Sequence, residues 1–259
     1  PVRLVIMPKL SKILQVNAAN FEHCAQLLRD GAVIGMPTET VYGLAGNALN
    51  ESSVRKIFSV KGRPLIDPLI VHFSRLEDAE PHIVANPLIQ PLADAFWPGP
   101  LTMVVQKQSS IPDIVTAGLR SVAIRVPQHP VFRQILAHTQ FPLAAPSANP
   151  FGYVSPTQAQ HVQNTLGDHI QAILDGGPSE LGLESTIVDL REPLKPAILR
   201  HGPITEAQLS AVLAVPLCQH HSDNNDQSAQ SAPGLLSKHY SPKAKVELLP
   251  HGTGVHSTI

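Results

Sequence analysis

Apolar residues alternate between helical spacing and short uninterrupted runs over most of the chain. Helical spacing predicts helices that begin near residues 17, 52, 88, 131, 157 and 205. Uninterrupted runs predict buried strands at residues 32–36, 69–73, 101–106, 121–126, 143–145, 170–174, 184–190 and 197–200. Because helices and strands are intermixed without strict alternation, the pattern predicts an α/β (α+β) fold around a mixed sheet.

The pattern stops near residue 216 and divides the chain into two unequal parts. Residues 220–231 read HHSDNNDQSAQS and contain almost no apolar residue, which is typical of a linker. A short apolar run at residues 246–249 follows, with little capacity to form a core. We therefore predict one large domain over residues 10–213, then a linker and C-terminal extension over residues 214–259.

The composition excludes several classes of protein. Of the 259 residues, 43% are hydrophobic, which is enough to bury a large core and excludes disorder throughout. The net charge of −1 argues against a main role in coating nucleic acid, because such proteins carry a strong basic excess. We find no apolar window of the length that crosses a membrane. Two cysteines and no secretory leader favour a reducing, cytoplasmic location.

Polar clusters stand at the ends of the apolar runs, where α/β proteins place binding groups. Hydroxyls and a carboxylate occur in the turn at residues 37–40, and two cations flank a glycine at residues 61–63. Small residues and hydroxyls occupy residues 144–149. Lysine and arginine grip phosphate, and small residues let a ligand approach the backbone. The chain has no P-loop, GxGxxG or HExxH motif.

An arginine in a predicted strand is the most informative single residue. In the run at residues 121–126, Ser121, Ala123 and Arg125 share one face, and the apolar residues share the other. A buried arginine needs an anionic partner. That partner is either an internal Asp or Glu, or the carboxylate or phosphate of a ligand, and the residues alone leave both possibilities open.

Seven strings from these clusters together resemble the YrdC-type threonylcarbamoyl-AMP synthase family. They run in order from about residue 15 to residue 210 and read PTETVYGL, KGRPLIDPLIVHF, FWPGPLT, VAIRVP, APSANPFGYVSPT, ESTIVDL and ILRHGPIT. Residues 233–242 resemble the linker of the longer, two-domain form of this family. Because the chain stops soon afterwards, we expect the C-terminal domain of that form to be absent or truncated.

The resemblance implies a twisted mixed sheet with surrounding helices and one large, central, positively lined cavity. It implies a nucleotidyltransferase that makes threonylcarbamoyl-AMP and pyrophosphate from L-threonine, bicarbonate and ATP. The product serves threonylcarbamoyladenosine modification of tRNA at position 37, through a downstream transfer machinery. The resemblance also implies Mg²⁺ bound with ATP, with few or no protein ligands, and an extension folded back over the active site.

The resemblance further implies a role for each residue of its motifs. The residues that would hold L-threonine are Thr40, His72, Arg125, Ala145 through its backbone and Ser185, with Thr186 as the alternative to Ser185. The residues that would hold ATP are Arg63, Asp67, Ser121, Ser147, Ser155, Arg200 and Tyr240. Lys61 and Arg63 form a KxR motif and would act as the catalytic cations at the phosphates. No residue is expected to ligate a metal ion.

Two other functions remain open at this point. One is an RNA-binding module of the same fold that binds tRNA or double-stranded RNA without synthase activity. The other is a relative with a different carbamoyl chemistry, against which the segment around Tyr240 argues because it belongs to the synthase form.

Overall fold

The computed structural model describes residues 12–218, 229–230 and 232–235. Within these ranges ten strands form one sheet: β1 Lys12–Gln15, β2 Ile34–Met36, β3 Gly43–Asn47, β4 Ile70–His72, β5 Leu101–Gln106, β6 Ser121–Arg125, β7 Leu143–Ala144, β8 Ala172–Asp175, β9 Thr186–Asp189 and β10 Ala197–Arg200. Their order across the sheet is β1-β8-β2-β3-β7-β4-β6-β5-β9-β10. Both parallel and antiparallel neighbours occur, so the predicted mixed sheet is confirmed.

Helices surround the sheet and connect its strands. They are α1 Ala18–Arg29, α2 Glu51–Lys61, α3 Leu76–Ala79, α4 Ile89–Phe96, α5 Pro130–Thr139, α6 Ala159–Leu166 and α7 Glu206–Val212. Three turns of 3₁₀ helix lie at Glu80–His82, Asp113–Thr116 and Gly167–His169. None of the helices in the described ranges has both the length and the apolar character that a membrane span needs.

Local capping chemistry sets where the helices begin. The helices predicted to begin near residues 17 and 205 are both present: Asn17 caps α1, and Thr205 caps α7 through a capping box. Helix α2 begins at residue 51, one residue before its predicted start, because the Asn50 side chain accepts the backbone N–H groups of residues 52 and 53. Helix α6 begins at residue 159 after Gln158, slightly later than predicted.

The sequence pattern missed strands β1 and β3. The sequence of β3 is GLAGN, and glycine weakens the strand signal. A Cβ atom at Gly46 would lie 2.6 Å from Oγ of Ser53 and 3.2 Å from a side-chain carbon of Ile57. Glycine is therefore required where α2 packs closely on β3, and the packing of that helix rather than β propensity explains the residue.

Two apolar clusters sandwich the sheet. Helices α1 and α5 pack on one face through Phe21, Leu28, Phe132 and Ile135, and residues of α2, α4, α6 and α7 form the larger cluster. Strand β6 follows the predicted alternation, because its residues 122 and 124 enter the larger cluster while residues 123 and 125 face away from it. The second face of β6 is thereby left for polar chemistry.

A third, small apolar cluster lies on this second face. It joins strands β4, β5, β6, β9 and β10 to the C-terminal segment through Ile70, Val104, Ala123, Ile187, Leu199 and Ala232. Ala232 has no exposed surface, and Leu235 packs against the same cluster. Residues 232–235 therefore lie over this face of the sheet. Tyr240 and the predicted strand at residues 246–249 lie outside the described residues.

Candidate functional site

A cleft opens on the second face of the sheet, beside the third cluster. Its volume is about 470 Å³, including the solvent space at its mouth. It is lined by Thr38, Thr40, Val41, Gly43, Arg63, Ile70, His72, Arg125, Ala145, Pro146, Ser147, Glu184, Ser185, Arg200 and Pro233. Six of the seven strings, far apart along the chain, therefore meet at one place, and FWPGPLT is the one that does not line the cleft.

A second space adjoins the first. Its volume is about 660 Å³, again including solvent, and Val41, Glu184 and Arg200 line both spaces. Ser155 lines only the second space. The two spaces thus meet at the ion pair between Arg200 and Glu184, which forms part of the wall of each.

Arg125 ends strand β6 and is held at three points. Its Nε donates to the Gly99 carbonyl at 3.1 Å, Nη1 donates to Oγ1 of Thr40 at 3.1 Å, and Nη2 donates to Oε1 of Glu39 at 2.6 Å. A guanidinium carries five N–H donors, so one on each Nη atom has no partner among the described residues. Arg125 therefore pairs with an internal carboxylate, the first of the two alternatives that the sequence left open, and it also lines the cleft, so the ligand alternative stays a prediction.

The carboxylate partner of Arg125 is itself buried. Glu39 is 3% exposed, and its Oε2 also accepts the backbone N–H of His129 at 3.4 Å. Burial alone would raise the pKa of Glu39, but the charge and hydrogen bond of Arg125 and nearby backbone N–H groups hold it below its ordinary value. Sequence reasoning noticed the carboxylate of the PTET turn but not its pairing with an arginine 86 residues away.

His72 lies beside Arg125, its direct neighbour in the parallel pair of β4 and β6. The imidazole is buried against the ring of Phe132, and its Nδ1 has no well-directed hydrogen-bond partner in the described part of the chain. Burial, with a smaller contribution from the charge of Arg125, lowers the pKa of His72 to about 3. The ring is therefore neutral near pH 7.

The turn after β2 places two hydroxyls at the cleft. Oγ1 of Thr38 donates to the Val41 carbonyl at 2.6 Å and lies 2.8 Å from Oγ1 of Thr40. Across the cleft, Ala145 follows β7 and donates its N–H to the Ile70 carbonyl. Its predicted contact with a ligand therefore falls to the carbonyl rather than to the N–H.

The KxR motif is built by the end of helix α2. Gly62 adopts a left-handed conformation with φ of 61°, which ends the helix and turns the chain so that Arg63 reaches the cleft. Arg63 donates to the backbone carbonyls of Asp67 and Pro68 and forms an ion pair with the Asp67 carboxylate at 2.9 Å. Asp67 has no exposed surface and does not line the cleft, so it holds Arg63 rather than facing the predicted phosphates.

Lys61 is also buried behind the cleft surface. Its Nζ donates to the carbonyl oxygens of Ser147 and Asn149 at 2.6 and 2.5 Å. Burial, followed by the charge of Arg63, lowers the pKa of Lys61 to about 7. Lys61 does not line the cleft, in contrast to its predicted place at the phosphates, and it fixes the loop that carries Ser147.

Arg200 organises the far side of the cleft. It donates to the carbonyl and to Oγ of Ser185, both at 3.1 Å, and forms an ion pair with Glu184. Glu184 in turn accepts a hydrogen bond from Ser155 at 2.8 Å. Of the two predicted hydroxyls, Ser185 lines the cleft, whereas Oγ1 of Thr186 bonds to the backbone of Ile204. The sequence analysis did not predict that Glu184 pairs with Arg200 and Ser155.

The resemblance implied a positively lined cavity, and in the structure carboxylates balance its arginines. Each of its three arginines is paired with a carboxylate: Arg63 with Asp67, Arg125 with Glu39 and Arg200 with Glu184. Lys61 adds a fourth basic group, but its pKa of about 7 leaves it only partly charged near neutral pH. No group of three or more His, Cys, Asp or Glu residues arranged for a metal ion occurs in the ranges that the structure describes.

Four predicted site residues do not line the cleft: Lys61, Asp67 and Ser121 line neither space, and Ser155 lines only the second. A fifth, Tyr240, lies outside the described residues. Ser121 lies buried at the start of β6, opposite Gln106 of β5. The C-terminal segment does reach the site, because Pro233 lines it and the Gln230 N–H donates to the Ile66 carbonyl at 2.9 Å.

Two family models match the chain. Residues 26–202 match the Sua5, YciO and YrdC model, which is described as telomere recombination. Residues 204–258 match a model described as the C-terminal domain of threonylcarbamoyl-AMP synthase. The prediction that this domain is absent or truncated is therefore wrong. The sequence pattern did not indicate this domain, because residues 220–231 are polar and the apolar run at residues 246–249 is short. The predicted boundary between residues 213 and 214 stays a prediction.

Individual proteins are also similar to the chain. A threonylcarbamoyl-AMP synthase of Pyrococcus abyssi is 39% identical over 86% of the chain and 65% of that protein. A threonylcarbamoyl-AMP synthase of Bacillus subtilis is 40% identical over 91% of the chain and 68% of that protein. The crystal structure of P. abyssi Sua5 complexed with L-threonine superposes with a TM-score of 0.85 at 37% identity, over 91% of this chain and 70% of that one.

The chain thus spans about two thirds of the length of the curated relatives that it matches. The first family model covers well over half of the chain, and its matched range includes every residue that lines the cleft except Pro233. The chain belongs to the Sua5–YciO–YrdC family.

Proposed function

We propose that the chain is an L-threonylcarbamoyladenylate synthase, which makes threonylcarbamoyl-AMP and pyrophosphate from L-threonine, bicarbonate or CO₂, and ATP. The observation that carries this proposal is Arg125, which is fixed at three points and retains two N–H donors at the cleft. Such a donor pair suits the carboxylate of a free amino acid. The similarity to a Sua5 structure complexed with L-threonine supports the same reading.

Threonine is proposed to occupy the first space. Arg125 would bind its carboxylate, and Thr40, neutral His72, the Ala145 carbonyl and Ser185 surround the remaining groups. This environment offers hydrogen-bond acceptors on several sides, which suits an amine and a hydroxyl.

ATP is proposed to extend from the shared wall into the second space. Arg63 and Ser147 line the first space, Ser155 lines the second, and Arg200 lines both. Because each arginine already has a carboxylate partner, it is held in place before the nucleotide arrives, which favours catalysis by positioning. Lys61 and Asp67 would contribute without touching ATP. Lys61 would hold the loop at Ser147, and Asp67 would hold Arg63.

The proposed reaction joins three substrates. The threonine amine loses a proton as it forms a bond to the carbon of CO₂, which gives a carbamate. A carbamate oxygen then attacks the α-phosphorus of ATP, and the bond to pyrophosphate breaks. A carbamate is labile in water, so cover by Ala232 and Pro233 would favour the reaction.

Magnesium is proposed to arrive with ATP. Every carboxylate described at the cleft is paired with an arginine, so the donor set fits an ion carried by phosphate and water oxygens. Its role would be to neutralise charge on the departing pyrophosphate. We further propose a cytoplasmic location and a product that passes to machinery modifying tRNA position 37.

The test is pyrophosphate release by the purified chain with ATP, Mg²⁺ and bicarbonate, in the presence and absence of L-threonine. Threonine-dependent release supports the proposal. Release that does not depend on threonine, or no release, contradicts it. Salt-dependent binding of tRNA without any release would instead support the RNA-binding alternative.

A matched pair of variants ties the activity to the site. Arg125→Lys keeps the charge but loses the planar fork, and we expect kcat/KM for threonine to fall about a hundredfold. Arg191→Lys makes the same change in an arginine that pairs with Asp189 outside the cleft, and it should leave the rate within about twofold.

A further inference from the structure

Glu39 stands directly behind the residue proposed to bind the amino acid. Its neighbours Thr38 and Thr40 line the cleft, whereas Glu39 does not. Its carboxylate meets Nη2 of Arg125 at 2.6 Å on one side and the backbone N–H of His129 on the other. Glu39 therefore touches Arg125 without facing the space that a ligand would occupy.

The three contacts of Arg125 constrain a flat group completely. Gly99 fixes Nε, Thr40 fixes one Nη atom, and Glu39 fixes the other. Without Glu39, the guanidinium keeps only two single hydrogen bonds to neutral oxygens, and its Nη2 atom loses its charged partner. Burial would raise the pKa of Glu39, but the charge and hydrogen bond of Arg125 outweigh it and lower the pKa. Glu39 is therefore charged near pH 7. The contact is therefore an ion pair near pH 7.

We propose that Glu39 is a positioning residue, which orients Arg125 so that its two unengaged N–H donors meet the carboxylate of the bound amino acid. This inference rests on the proposed function, because it takes that amino acid to be L-threonine. Glu39 forms no bond to the substrate, and its effect is confined to ligands that carry a carboxylate.

That restriction gives a test that a merely structural role would not pass. Binding of L-threonine is compared with binding of L-threoninol, which has the amine and the hydroxyl but no carboxylate, by NMR titration of the full chain. In Glu39→Gln we expect the Kd for threonine to rise at least about tenfold, while that for threoninol stays within about twofold of the wild-type value.

A control variant separates this effect from the general loss of a buried charge. Asp189→Asn removes the carboxylate partner of Arg191 at the end of β9 that lies away from the cleft. We expect it to leave both dissociation constants within about twofold of the wild-type values. If Glu39→Gln does not fold, Glu39→Asp provides the same comparison, because it keeps the charge but draws it away from Nη2.

The outcomes distinguish a failure of the inference about Glu39 from a failure of the proposed function. Equal weakening of both ligands, or unchanged threonine affinity in the Glu39 variant, overturns the inference. Wild-type chain that binds threonine but releases no pyrophosphate contradicts the proposed function alone. Wild-type chain that binds no threonine overturns both.

Discussion

The ammonium group of Lys61 lies 2.5 Å from the carbonyl oxygen of Asn149, although 88 residues separate them along the chain. The same Nζ atom bonds to the Ser147 carbonyl, and the Lys61 carbonyl accepts the Phe151 N–H at 2.7 Å. One residue at the end of α2 thereby holds the loop that follows β7. We therefore expect Lys61 to shape the backbone around Ser147.

Removing this cation should destabilise the protein and loosen the loop. Lys61→Met leaves two buried carbonyl oxygens without donors, so we expect the free energy of unfolding to fall by about 2–4 kcal/mol. Lys56→Met is the matched control on the same helix, because Lys56 donates to the single carbonyl of Gly31. We expect a loss below about 1 kcal/mol for it. Urea unfolding measures both, and equal losses would contradict the role of Lys61.

The pKa of His72 predicts how the stability depends on pH. Burial lowers this pKa from 6.5 to about 3, so between these values the unfolded chain binds more protons than the folded one. His72 therefore contributes stability above pH 6.5 that is lost progressively as the pH falls toward 3. In His72→Gln, the free energy of unfolding should change less steeply with pH across this window, by up to about 1.4 kcal/mol per pH unit.

Urea unfolding between pH 4 and pH 7 measures the difference between the two chains. Wild-type and variant curves that run parallel to each other would show that His72 does not titrate in this way.

The C-terminal segment should detach when its buried anchor is charged. Ala232 has no exposed surface and packs against Ile70 and Leu199, so Ala232→Asp places a carboxylate in an apolar cluster. We expect hydrogen exchange at the Gln230 amide, which donates to Ile66, to accelerate by at least about tenfold. Ala229→Asp, at a half-buried position outside the cluster, should change it little. Unchanged exchange in Ala232→Asp would contradict the docking of this segment.

The sequence predicted the parts of the fold that local chemistry determines. The caps at Asn17 and Thr205, the alternation along β6 and the mixed sheet all follow from short-range patterns. Strand β3 was not predicted, because the close packing of α2 requires glycine at residue 46 and glycine weakens the strand signal. This packing is a tertiary constraint that the local sequence does not show. The C-terminal match at residues 204–258 escaped for the opposite reason, since polar sequence gives little periodic signal.

In the candidate site too, the sequence predicted some residues correctly and left the partners of others unassigned. Motif residues such as Arg125, His72 and Ser185 meet at the cleft as the resemblance implied. The carboxylates behind them could not be assigned, because a sequence shows that Glu39 and Glu184 exist but not which arginines they meet. For the same reason, Lys61 and Asp67 were predicted at the phosphates, whereas the structure places both behind the cleft surface.

The central claim is that one cleft joins an amino acid, CO₂ and a nucleotide. It is tested most directly by incubating the chain with ¹³C-bicarbonate, L-threonine, ATP and Mg²⁺, and following the label by mass spectrometry. We predict that one ¹³C atom appears in a nucleotide product that also contains threonine and a single phosphate, and that Arg125→Lys reduces its yield sharply. A nucleotide fraction that carries no label while ATP is consumed would contradict the account.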